Sequence, residues 1–165
     1  MKVYIKNQQR LIKANQQIIR SLLKKALHLL SLHKAEISIL LVNDRRMRIL
    51  NSQYRGIDRT TDVLSFPQQE SYKLQVTSCK LKNKKDFQLN SSLVIRHSSL
   101  VLGDIVINLH QAKRQAAEHG LTFNEELRWL LIHGLLHLIG YDHEKGGYDE
   151  KKMRRKEKEL LNKIS

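Results

Sequence analysis

The chain has 165 residues, enough for one domain with a sizeable core. Its 30 Lys and Arg against 16 Asp and Glu leave a formal charge of +14, which disfavours basic partners and draws polyanions, of which nucleic acid is the commonest in a cell. Cys79 is the only cysteine, so an intrachain disulfide is excluded. The most apolar stretch, 129–141, is too short to span a bilayer, and Met1 to Asn7 lacks the apolar segment of a secretory signal. No membrane association is expected, and the cytoplasm is the expected compartment.

In chain order, Leu11, Ile12, Ile18, Ile19, Leu22, Leu23, Ala26, Leu27 and Leu30 recur at helical spacing with basic residues between them. That pattern predicts an amphipathic helix over 14–31. Residues 36–42 read as a strand, after which Asn43 or Asp44 can cap a short helix through Met47, Ile49 and Leu50. Residues 62–66 read as a second strand ended by Pro67, and 103–107 as a third. Asn108 can cap the helix that follows, with Gly120 as its left-handed stop.

Residues 68–101 lack a clear period and are rich in lysine, which marks a mobile basic insertion within a single domain spanning 1–165. Val94-Ile95 and Leu100-Val101 are its candidates for a hairpin. Thr122-Phe123-Asn124-Glu125 has the form of a capping box and predicts a helix over 123–139. That helix is apolar nearly all round and so belongs at the centre of the molecule. A last helix over 148–163 directs Met153, Leu160, Leu161 and Ile164 inward. The whole reads as α+β, a small sheet packed with about five helices.

The run His133-Gly134-Leu135-Leu136-His137-Leu138-Ile139-Gly140-Tyr141-Asp142-His143 carries the sharpest chemical signal. His133 and His137 lie one turn apart on one helix face and can point at a common ion. Gly140 can end the helix with a positive φ and fold the chain back, bringing His143 round as a third ligand. Three imidazoles with a fourth position open to water are the donor set of a catalytic zinc site, one ion per chain. Asp142 is the nearest carboxylate, a candidate to orient a ligand imidazole or to move a proton. The long zinc-peptidase pattern has these offsets but requires glutamate directly after the first histidine as general base. Here Gly134 stands at that position, which makes a peptidase the second choice. A glycine inside a helix costs about 1 kcal/mol relative to alanine, so either close packing or room for substrate beside the metal should explain it.

Residues 133–143 resemble the hallmark of the YbeY family of bacterial metal-dependent endoribonucleases at every fixed position. Leu50-Asn51, Tyr54-Arg55-Gly56 and Thr61 through Pro67 resemble that family's central segment, and Leu102 through Ile107 with Gln115-Ala116 its next strand and helix. Glu126-Leu127, Met153 and Glu157 also fit. The N-terminal third matches in pattern only, residues 68–101 are longer than the usual connection, and Thr60 stands where the family often has proline. The resemblance implies a compact fold with a small mixed sheet and one zinc on His133, His137 and His143. It implies an endoribonuclease of single-stranded or structured RNA, acting in 16S rRNA 3′-end maturation and ribosome quality control. Ribosomal RNA, the small ribosomal subunit and its assembly factors are the implied partners. Arg55 matches a cleft arginine and is expected to act on the phosphate beside His133, with Gly134, Thr61 and Asp62 as further cleft candidates. A non-catalytic ribosome-assembly factor with a structural zinc is the third reading of the same charge.

Overall fold

The computed structural model describes residues 1–68, 100–141 and 147–164. Four strands, β1 (Lys2–Asn7), β2 (Ala35–Val42), β3 (Val63–Pro67) and β4 (Leu100–Asn108), form one sheet in the order β1-β2-β4-β3. β1, β2 and β4 run parallel, and β3 is antiparallel to β4 on the far edge, so the sheet is mixed. Pro67 is tolerated as the last residue of β3 because an edge strand has donors that no neighbour needs.

Strand residues alternate between two faces. Ile37, Ile39, Leu41, Ile105 and Ile107 point to a large core completed by α1 (Gln16–Leu29), α3 (Leu109–Glu118), α4 (Phe123–Leu138) and α5 (Gly147–Ile164). Val42, Leu64 and Val106 point the other way, onto Met47 and Leu50 of α2 (Asp44–Arg55). α4 lies at the centre of the large core, with Leu130, Ile132, Leu135 and Leu136 fully buried. Each contributes roughly 1.5–3 kcal/mol through burial, which holds this weakly amphipathic helix in one place.

The helix starts follow the expected chemistry. Asn15, Asn43 and Asn108 cap α1, α2 and α3 through their side-chain oxygens, and the Thr122–Glu125 capping box opens α4. Gly120 has φ +67 just beyond α3. Leu100 and Val101 belong to β4, while Val94 and Ile95 and nearly all of the basic insertion lie outside the described residues. β1 is the element that sequence periodicity did not predict. It is a short edge strand in which only Val3 is fully inward, so six residues carry too little alternation to stand out.

Two polar networks tie the helices together. Asp44 accepts from Arg114 Nη2 and from Asn108 Nδ2, both at 2.7 Å, and these contacts hold its carboxyl at about 2, below the usual 3.8. Near the start of α4, buried Glu126 lies 3.0 Å from His119 Nδ1, a contact that raises the imidazole above its ordinary value.

Candidate metal centre

The helical spacing of α4 aligns Trp129, His133 and His137 in one column, with ring centroids 4.9 Å and 4.6 Å apart. His133 is buried and His137 half-buried. Their Nε2 atoms face each other at 3.1 Å. Behind them, Glu157 of α5 places Oε1 2.7 Å from His133 Nδ1, inside the core. An ionised carboxylate can only accept, so this contact puts the proton of a neutral His133 on Nδ1 and turns the Nε2 lone pair toward His137.

This geometry suits a divalent metal. Two nitrogens at ~2.0–2.1 Å from a tetrahedral zinc lie about 3.3 Å from each other, close to the separation found here. A carboxylate on the remote nitrogen of a ligand imidazole is the usual companion of such a site. Among the described residues, no group of three or more His, Cys, Asp or Glu side chains forms a metal cluster. His143 and Asp142 lie outside the described residues.

The chain turns away from the pair at Gly140. With φ +90, Gly140 donates to the His137 carbonyl at 3.0 Å while Tyr141 N donates to the Leu136 carbonyl at 3.0 Å. These two bonds form a Schellman stop, which the left-handed residue makes possible. Tyr141 then packs on the core, with the Lys152 ammonium 5.5 Å from its ring centre.

Gly134 faces the sheet. A β-carbon there would meet Ile105 Cγ2 at 2.9 Å, Ile105 Cδ1 at 3.1 Å and Ser65 Oγ at 3.2 Å, and Ser65 Oγ donates to the Gly134 carbonyl at 3.3 Å. Close helix–sheet approach therefore accounts for the glycine, and a side chain at that position requires Ile105 or Ser65 to shift.

The remaining candidates are held by the scaffold. Asp62 Oδ1 accepts from Val63 N at 2.8 Å and from Thr61 Oγ1 at 3.0 Å, and its Oδ2 accepts from Gln115 Nε2 at 3.0 Å. Thr61 and Asp62 thus fix the start of β3 to α3, while the Thr61 carbonyl accepts from Asn108 Nδ2 at 3.2 Å. Arg55 is the exposed last residue of α2. Its neighbour Tyr54 sets its ring edge-on to Phe66 of β3 at 5.0 Å. β3 consequently touches both the end of α2, through Phe66, and the histidine helix, through Ser65.

Glu157 is the site residue that sequence reasoning left without a role. Its signal was present, since Met153, Glu157, Leu160 and Ile164 form one buried stripe with spacings of four, three and four. A carboxylate in the apolar stripe of a helix needs a buried partner.

The α+β architecture is similar to the solution structure of a protein from Thermotoga maritima. That likeness has a TM-score of 0.62 at 26% identity and covers 98% of this chain and 88% of that one. The chain belongs to the family described as endoribonuclease YbeY, whose model matches residues 4–165. Its members are named as endoribonucleases, hydrolases acting on RNA. The endoribonuclease YbeY of Aquifex aeolicus is 39% identical over 140 residues, covering 85% of this chain and 77% of that protein. That of Acetivibrio thermocellus is 36% identical over 170 residues, covering 100% and 98%. The resemblance seen in residues 50–67 and 102–160 therefore extends through the N-terminal third.

Proposed function

We propose that this protein is a zinc-dependent endoribonuclease in which His133, His137 and His143 hold one zinc ion and Arg55 binds the scissile phosphate. The observation that carries the reading is the His133–His137 pair, with facing Nε2 atoms and a buried carboxylate behind one of them. When bound, zinc supplies a Lewis acid that activates water and offsets charge developing on the phosphate. Glu157 holds the His133 tautomer and fixes its ring. Arg55 offers a planar fork to two phosphate oxygens. Asp142, beside the third ligand, either orients an imidazole or carries a proton. Thr61 and Asp62 shape the cleft by anchoring β3.

Peptide hydrolysis is disfavoured by the packing at Gly134, where a glutamate would collide with Ile105 and Ser65. The substrate class is single-stranded or structured RNA, and the physiological role is 16S rRNA 3′-end maturation and ribosome quality control. The family membership and the +14 charge support this reading. The place of action is the cytoplasm, on the small ribosomal subunit with its assembly factors. Among the described residues, no helix is long and apolar enough to cross a membrane.

The test is zinc content of the purified protein beside cleavage of a structured rRNA fragment and of casein, each with and without chelator. One zinc per chain and chelator-sensitive RNA cleavage are expected, with casein untouched. Zinc-dependent casein hydrolysis would sink the proposal. Zinc binding without RNA cleavage would leave the assembly-factor reading in its place.

A further inference from the structure

We propose that the groove between the C-terminal ends of α1 and α5 is a second RNA-backbone site, separate from the histidine centre. The inference rests on the RNA substrate proposed above. The groove has a volume of about 340 Å³ and is lined by Lys24, Lys25, His28, Leu29 and Lys163. It shares no residue with the histidine pair.

Three observations favour a polyanion there. No acidic residue precedes Glu36 in the sequence, so Lys24 and Lys25 have no acidic neighbour on their own helix. Among the described residues, no carboxylate pairs with Lys24 or Lys25. Glu159 is divided between two ammonium groups, Lys156 and Lys163, each at 2.9 Å. The positive charge of the groove is therefore compensated only in part.

The helix dipole does not explain this placement. Its effect is confined to the last turn, which suits His28, whereas Lys24 and Lys25 stand five and four residues before the end of α1 at Leu29. A bilayer surface also fits poorly, because it requires an apolar face beside the charge. Here the described lining is three lysines and a histidine around a single leucine, Leu29. A phosphodiester strand, with ammonium groups on its phosphates and Leu29 under a sugar, meets both features.

α5 connects this groove to the proposed centre. Glu157 and Lys163 are six residues apart on that helix, about 9 Å along its axis. The groove would hold structured substrate and leave the chemistry to the histidines and Arg55.

The experiment compares wild type with the triple variant Lys24→Gln/Lys25→Gln/Lys163→Gln by fluorescence anisotropy across a salt series. The probes are a labelled rRNA hairpin and a labelled four-nucleotide RNA. For the hairpin, affinity should fall roughly tenfold or more and the salt slope by about two to three, while the tetranucleotide is bound and cleaved as before. The triple arginine variant should restore hairpin binding, which separates lost charge from lost fold. Unchanged hairpin affinity and slope in the glutamine variant would overturn the groove and leave the proposed function standing. If wild type shows no salt-dependent RNA binding, the RNA function and the groove fall together.

Discussion

Glu157 and His133 are joined by a 2.7 Å contact between Oε1 and Nδ1, formed in the interior between two helices. One side chain comes from the last helix and the other from the central one, so the packing of α5 on α4 decides which nitrogen of His133 is available. Removing the carboxylate should weaken zinc binding by 10- to 100-fold. Glu157→Gln keeps an acceptor without the charge and should lose less than Glu157→Ala, which leaves His133 Nδ1 unpaired. Competition against a zinc chelator measures both. Wild-type affinity in the alanine variant would remove the orienting role.

Metal holding and phosphate binding should separate by residue. Alanine at His133, His137 or His143 should abolish zinc retention and RNA cleavage together. Arg55→Ala should keep its zinc and lose about 10² to 10³ in cleavage rate, as expected for a lost bidentate contact. Arg55→Lys should recover part of that loss, because it restores charge without the planar fork. Zinc content beside single-turnover cleavage decides between these roles, and normal cleavage by Arg55→Ala would end the role assigned to it.

Gly134→Ala sets two effects against each other. Alanine gains about 1 kcal/mol of helix propensity over glycine. The new β-carbon meets fully buried Ile105 at 2.9 Å, and overpacking of this kind costs about 1–3 kcal/mol. The clash should win by about 1 kcal/mol, lowering the urea midpoint. A higher midpoint would show that the sheet yields more easily than its burial suggests.

Stability should depend on pH at two pairs, in opposite directions. The depressed Asp44 carboxyl contributes stability above its ordinary 3.8, and this is lost as pH falls through about 2. Asp44→Asn should be less stable at neutral pH and lack that acid step. The raised His119 imidazole, beside Glu126, contributes stability in full below its ordinary 6.5, and this is lost as pH rises through its higher folded value. His119→Gln should remove that alkaline decline. Urea titrations at a series of pH values measure both, and an unchanged profile in either variant would refute its assignment.

Most of the architecture could be read from local patterns because its helices announce themselves. Asn43, Asn108 and Thr122 are caps by side-chain chemistry, and α4 is apolar enough to declare its burial. β1 escaped because its register comes from pairing with β2, a long-range relation that a six-residue segment does not encode. At the site, the helical spacing of His133 and His137 was sufficient to predict their meeting. The role of Glu157 was not legible, since it depends on how α4 and α5 face each other. The purpose of Gly134 stayed open for the same reason, as its neighbours Ser65 and Ile105 come from two distant strands.

The contact between Glu157 and His133 also orders events in time. The two residues are 24 positions apart, and α5 is synthesised after α4. While a growing chain still lacks its last helix, the sheet, α1 and α4 can already begin to bury one another. His133 then has no carboxylate on Nδ1, and its imidazole is free to carry the proton on either nitrogen. The histidine pair acquires its fixed orientation only when α5 docks. A nuclease built this way stays unfinished until the helix that carries Glu157 has been made and has docked.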